Sequence, residues 1–325
     1  MQLHNETALT ARLYRGALHD SVNGAWVVAR GCFRRTRRGM ELQDKAWPIF
    51  DAPLATDFGT LPSDLDPMRA GVSVFCLGTV RNDTPRPSTL CSLQVGDTAR
   101  QLRVHGRRGW VRTEERWRPG PAEPFTEMPL TWSYCSGGVA RFEGREVPHA
   151  SNPEGMGFVL DEAELPRVEV PRIEDVRAVI DDWRTLPAPM CWAPLEDARP
   201  LHVPAVVDAA TRDGVIDPDA LARGMAALPC YDAPPETQFA SLPAGSLVDA
   251  QLGDHGLRIR IPGHDLRLHL QVGAERIRQA LWLSSVWLLV DEGLTVLTWR
   301  ARTAYAIRPG ELRTARLVGA VEGPR

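Results

Sequence analysis

Proline and glycine interrupt this chain too often for long helices. Each occurs 27 times in 325 residues, so together they fall on average about every six residues. Short apolar runs between breakers fit many strands joined by turns. AWVVARGCF (25–33) reads as a strand, RRTRR as a turn, and GMELQ after Gly39 as the returning strand. VSVFCLGTV (72–80) is a second strand, ended by the turn signal RNDTPRP. STLCSLQVG and ARQLRVHG (88–106) form a hairpin about Gly96-Asp97. SLVDAQL, GLRIRIPG and DLRLHLQV alternate at period two, and WLLVDEGLTVLTWRA (287–301) turns at Asp291–Gly293.

Helical signals are few. RIEDVRAVIDDW (172–183) spaces Ile173, Val176, Val179, Ile180 and Trp183 by three and four, which predicts a helix. Residues 217–228 open on Asp217 as N-cap and Pro218 at the first helical position. The expected fold is mostly β, with sandwich- or barrel-like sheets and two or three short helices. The Pro-rich stretch 186–204 suggests a boundary between N-terminal (1–195) and C-terminal (196–325) β-rich domains, unless it wraps one compact unit.

Net charge is −3, which gives no electrostatic footprint for nucleic acid. No stretch approaches the ~18 consecutive apolar residues of a membrane span. The N-terminal MQLHNETALTARLYRG is polar without an apolar core, so a cytoplasmic protein is expected. Cys32, Cys76, Cys91, Cys135, Cys191 and Cys230 are far apart and form no CxxC, which predicts mostly buried free thiols.

Catalytic constellations are weak. His264 and His269 are five apart, so a strand points them to opposite faces; no metal site is expected there or with His255. Asp161, Glu162, Glu164, Asp181 and Asp182 read as surface acids. Cys135 with downstream His149 lacks a readable third group, and a buried thiol beside a glycine turn accounts for it better. NPEGMGF (152–158) has no strand–glycine loop–helix context, so a turn with positive φ at Gly155 or Gly157 is preferred. Arginines 34, 35, 37 and 38, and 103, 107, 108 and 112 around Trp110, suit a protein partner better than nucleic acid. Most of the ten tryptophans are expected as core plugs, each indole N–H paired.

The order of local motifs adds more. WVVARGCF, LPSDLDP (61–67), VSVFCLG, VHGRRGW (104–110), EMPLTW (127–132), SGG (136–138), NPEGMGF, LPRVEVP (165–171), APMCW (188–192), YDAPPETQ (231–238), LRIRIPG and VWLLVDEGLTVLTWR follow one another. This series resembles bacterial domain-of-unknown-function family 2169, encoded beside type VI secretion genes. The resemblance covers nearly the whole chain. Gly106, Arg108 and Trp110 match a G-D-R-x-W motif, with Arg107 where the family usually has Asp. Met128, Pro129 and Leu130 match M-P-L; Gly137 and Gly138 match G-G; Asn152, Pro153, Gly155 and Gly157 match N-P-x-G-x-G; Trp299 and Arg300 match a terminal W-R. Arg30 stands where Lys is usual.

The resemblance implies a non-enzymatic adaptor or chaperone, without cofactor or metal. It would bind a PAAR-containing toxic effector and help load it onto the VgrG spike. It transfers no catalytic residue. The motif residues are candidates for partner binding or for structure, since prolines and glycines dominate them. The rival expectation is a β-sandwich enzyme acting on cell-wall sugar or peptide.

Overall fold

The computed structural model describes residues 1–322 except 20–21, 38, 46, 67–68, 115, 196, 198, 213–214, 227–232 and 306–311. Three sheets carry the fold, and none closes into a barrel. The largest has seven strands. Its order is Thr10–His19, Val22–Thr36, Leu294–Ala304, Trp282–Leu289, Val72–Leu77 and Gln238–Phe239, with Gly39–Leu42 also pairing Val22–Thr36. Only Val72–Leu77 and Trp282–Leu289 run parallel within it. Val72–Leu77 is buried along its whole length. Val74 and Cys76 join the main core, whereas Phe75 and Leu77 join a second core on the opposite face. A strand covered on both faces must be apolar throughout, which accounts for the unbroken run VSVFCL.

The second sheet is antiparallel, in the order Ile173–Asp175, Thr98–His105, Ser88–Val95, Leu247–Leu252 and His255–Arg260. Cys91, Leu93 and Val95 face inward with Val248, Ala250 and Leu252. Their polar neighbours face out, as period-two alternation requires. The third sheet orders Leu3–Asn5, Arg313–Val318, Arg267–Val272 and Glu275–Ala280. It sends Leu268, Leu270 and Leu317 into the same core. Each such buried side chain stabilises the fold by about 1.5–3 kcal/mol. All three sheets pair strands from both sides of residue 195.

The hairpins at Gly96-Asp97 and Asp291–Gly293 form as expected, with Gly96 and Gly293 at φ +56° and +63°. RNDTPRP is not a turn. Thr79–Arg86 continues as a strand against Phe125–Pro129, and a register shift between Phe125 and Glu127 accommodates the irregular stretch.

A helix spans Pro218–Ala226. Asp217 caps it by accepting from the N–H groups of Asp219 (2.9 Å) and Ala220 (3.1 Å). Residues 227–228 lie outside the described residues. Another helix, Arg199–Ala210, begins inside the Pro-rich stretch.

The expected helix over 172–183 is absent. Ile173–Asp175 pairs with Leu102–Val104, and Asp175 then turns the chain by accepting from Arg177 N (2.9 Å). Ile180 and Trp183 are buried beside Trp110, but Val179 is exposed. The three-and-four spacing therefore marks burial of an irregular segment. The backbone N–H of Ile180 donates to the Glu174 carboxylate (3.0 Å) instead of to a helical carbonyl.

Candidate functional site

Among the described residues, two charged clusters lie inside the protein. In the first, Arg30 on Val22–Thr36 and Arg300 on Leu294–Ala304 both point at Asp64. Each donates from Nη2 to the same oxygen, Oδ1, at 2.8 Å. Asp64 Oδ2 accepts from Phe50 N (2.9 Å), and Asp64 N donates to Phe50 O (2.8 Å). Arg30 Nε donates to Thr298 Oγ1 (3.0 Å), and Arg300 Nη1 donates to the carbonyl of Asp64 (3.0 Å). The Arg30 guanidinium lies 4.4 Å from the Trp287 ring centre. All three charged residues are at most 2% exposed. Burial pushes the Arg30 pKa below its ordinary value, against the pull of Asp64.

The second cluster holds the motif arginine. Arg108 Nη2 donates to Pro171 O (2.9 Å) and to Glu174 Oε2 (3.2 Å). His105 Nε2 lies 2.7 Å from Glu174 Oε1. Burial raises the Glu174 pKa, but His105, the Ile180 N–H and Arg108 outweigh it and hold the carboxyl below its ordinary value. Arg108 is therefore an internal residue bonded to a carboxylate that gave no local signal in the sequence.

The glycine motifs close against this cluster. Ser136–Gly137 pairs in parallel with Met156–Gly157. Buried Asn152 donates from Nδ2 to Trp132 O (2.9 Å) and Ser136 O (3.1 Å), while Gly138 N donates to Asn152 O (2.8 Å). A Cβ at Gly137 would lie 2.1 Å from Asn152 O. One at Gly155 would lie 2.4 Å from Asn152 Nδ2, and one at Gly157 2.4 Å from Pro171 Cδ. Gly137, Gly138 and Gly157 have positive φ; Gly155 does not. These glycines let three backbone segments touch, and Pro171 joins the clasp to Arg108.

The structure thus brings together Arg108, Gly137, Gly138, Asn152, Gly155 and Gly157. Trp110 is buried in a small cluster with Val159, Leu165, Ile180 and Trp183. Met128 is buried in the main core, and Pro129 is exposed opposite Thr79. Trp299 is fully buried near Phe33, separate from the clasp, and Arg300 belongs to the Asp64 cluster. Arg107, exposed, pairs with Glu169 at 2.8 Å.

Cys135 is buried: its thiol donates to Met190 O (3.2 Å), and burial and Cys191 push its pKa well above the usual value. Seven tryptophans are buried, but the pairing expected of every indole N–H does not hold. Trp132 donates to Ala193 O (3.0 Å) and Trp117 to Glu162 (2.8 Å). Trp26, Trp47, Trp110, Trp183, Trp192, Trp287 and Trp299 find no acceptor among the described residues. Asp161, Glu162 and Asp181 are engaged with the Ala163 N–H, with Trp117 and Arg184, and with Arg116. Among the described residues, no group of three or more His, Cys, Asp or Glu is placed to hold a metal ion. No described helix is long and apolar enough to cross a membrane.

Outside these clusters, the sheets offer backbone edges. Thr10–His19, His255–Arg260 and Glu275–Ala280 each end a sheet, pairing with one neighbour only among the described residues. Each carries arginines: Arg12 and Arg15, Arg258 and Arg260, Arg276 and Arg278.

Three open sheets sharing a core, with charged motif residues turned inward, define a multi-sheet β protein. The model of family DUF2169, described as an uncharacterized protein conserved in bacteria, matches residues 20–300, and the chain belongs to that family. No curated protein and no solved structure matches it.

Proposed function

We propose that the chain is a non-enzymatic adaptor or chaperone that binds a PAAR-containing toxic effector. It would act in the bacterial cytoplasm and promote loading of that effector onto the VgrG spike of a type VI secretion system. The observation that carries this reading is the set of three open, arginine-bearing sheet edges. An unpaired edge is a template for an incoming strand, whose main chain supplies affinity and whose alternate side chains supply specificity. The order of sequence motifs supports the choice of partner. The inward-turned motif residues support a rigid scaffold: Arg108, Asn152 and Arg300 already have internal partners. Binding would stabilise the effector by mass action until it docks.

Co-expression with a neighbouring PAAR or effector gene, followed by affinity purification and size-exclusion chromatography, tests this reading. A stable complex, with the effector soluble only in its presence, is expected. An effector equally soluble alone, and no complex, would overturn the reading for that pair.

A further inference from the structure

The outer face of the four-stranded sheet carries an aligned basic row. Arg278, His269 and Arg316 lie opposite one another on adjacent strands, and Arg316 lies opposite His4. One register step away are Arg276 beside Gln271, and Arg267 beside Ala280. Adjacent strands are about 4.8 Å apart, and like charges directly opposite are destabilising. Glu6 answers part of this charge, pairing with Arg316 and lying 3.5 Å from His4. Asp265, two residues before Arg267, accepts from the Ala320 N–H (2.6 Å). Glu275 alternates with Arg276 and Arg278 and so belongs to the opposite face. Arg267, Arg276 and Arg278 are exposed and have no carboxylate partner among the described residues.

The strand bearing Arg276 and Arg278, Glu275–Ala280, is also a terminal strand of this sheet. The other two arginine-bearing edges have part of their charge engaged. Arg12 pairs with Asp51 and Arg258 with Asp249, while Arg260 donates to Gly245 O. We infer that an extended acidic segment of a partner protein adds as a fifth strand along Glu275–Ala280, with carboxylates at alternate positions over Arg276 and Arg278. This rests on the reading of the chain as a binding protein and commits it to one edge and one chemistry. The positions forming the face hold no Phe, Tyr or Trp on which single-stranded bases would stack. A strand edge offers a peptide backbone the pairing that a phosphate backbone cannot use.

The test is fluorescence anisotropy at low salt with a labelled peptide of about eight residues alternating Glu and Val. Three comparisons accompany it: the Lys–Val counterpart, a Glu–Val peptide N-methylated at alternate residues, and a short DNA duplex. Wild-type protein is expected to bind the Glu–Val peptide, more weakly as salt rises, and neither peptide control. The double variant R276E/R278E should lose at least about tenfold in affinity. Its thermal melt reports folding, and R276Q/R278Q replaces it if the reversal unfolds. No wild-type binding, equal binding by the folded variant, or N-methyl-insensitive binding overturns the inference. So does duplex DNA that binds more tightly than the peptide and is lost on reversal. An effector complex that forms equally well with R276E/R278E overturns this inference and leaves the adaptor reading standing. Edge binding of the peptide with no effector complex does the reverse.

Discussion

Arg30 and Arg300 share a single acceptor: both guanidinium groups donate to Oδ1 of Asp64 at 2.8 Å, in a buried site. One carboxylate thus ties neighbouring strands of the largest sheet to the segment around residue 64. With two cations on one anion, the backbone and ring contacts are essential. Arg30 also meets Thr298, Pro48 O and the Trp287 face, and Arg300 meets two backbone carbonyls.

Removing the anion should therefore unfold more than a surface salt bridge would. Asp64→Ala leaves two buried arginines facing each other and is expected to cost about 3–5 kcal/mol. Urea denaturation measures this. The pair of exposed Arg107 with half-buried Glu169 provides the contrast, since Arg107→Ala should change stability by less than about 1 kcal/mol. Equal effects for the two variants would contradict the role given to Asp64.

Glu174 makes stability depend on pH. Its folded pKa lies below the ordinary carboxylate value. Its contribution is therefore present above the unfolded value of about 4.3 and is lost as pH falls through the folded pKa. Melting temperature should fall on acidification, and Glu174→Gln should flatten that part of the profile. The same variant should be less stable near neutrality, where Arg108 loses its counter-charge. An unchanged acid limb in Glu174→Gln would show that other groups set it.

The clasp makes a sharp steric prediction. Gly137 has φ +144° and no room for a Cβ beside Asn152 O, whereas Gly96 has φ +56° with nothing within 4 Å. Gly96→Ala carries backbone strain alone and should cost about 1 kcal/mol. Gly137→Ala adds a backbone clash and should cost more than about 2 kcal/mol. Chemical denaturation of both variants tests the ordering.

Local pattern made much of this fold legible. Alternation located the strands 247–252, 255–260 and 267–272, glycine turns located the hairpins, and Asp217-Pro218 located a helix start. The same reasoning failed where tertiary contacts decide. Ile173 to Trp183 has helical spacing, but its backbone pairs with Thr98–His105 and with the Glu174 carboxylate. The helix Arg199–Ala210 hides in a Pro-rich stretch: Pro200 fits its first turn, whereas Pro204, beyond that turn, argues against a helix when read locally. Arg108 and Arg300 were visible as motif residues, but their partners were not. Asp64 in LPSDLDP and Glu174 in RIEDV look like any surface acid, and only the fold brings them to a buried arginine.

The free cysteines offer a check on how tightly the core is closed. Cys32, Cys76, Cys91, Cys135 and Cys191 are all buried and unbridged. Burial pushes the Cys91 thiol up to about 12 and the Cys76 thiol well above its usual range. At pH 8 the thiolate of Cys91 is then about one part in ten thousand, and the thiolate is the reactive form. A charged aromatic disulfide reagent should leave these five thiols unmodified in native protein and titrate them once urea unfolds it, with mass mapping to identify each site. Modification of Cys76 or Cys91 at the rate of a free thiol under native conditions would mean that the core shared by the sheets opens locally far below global unfolding.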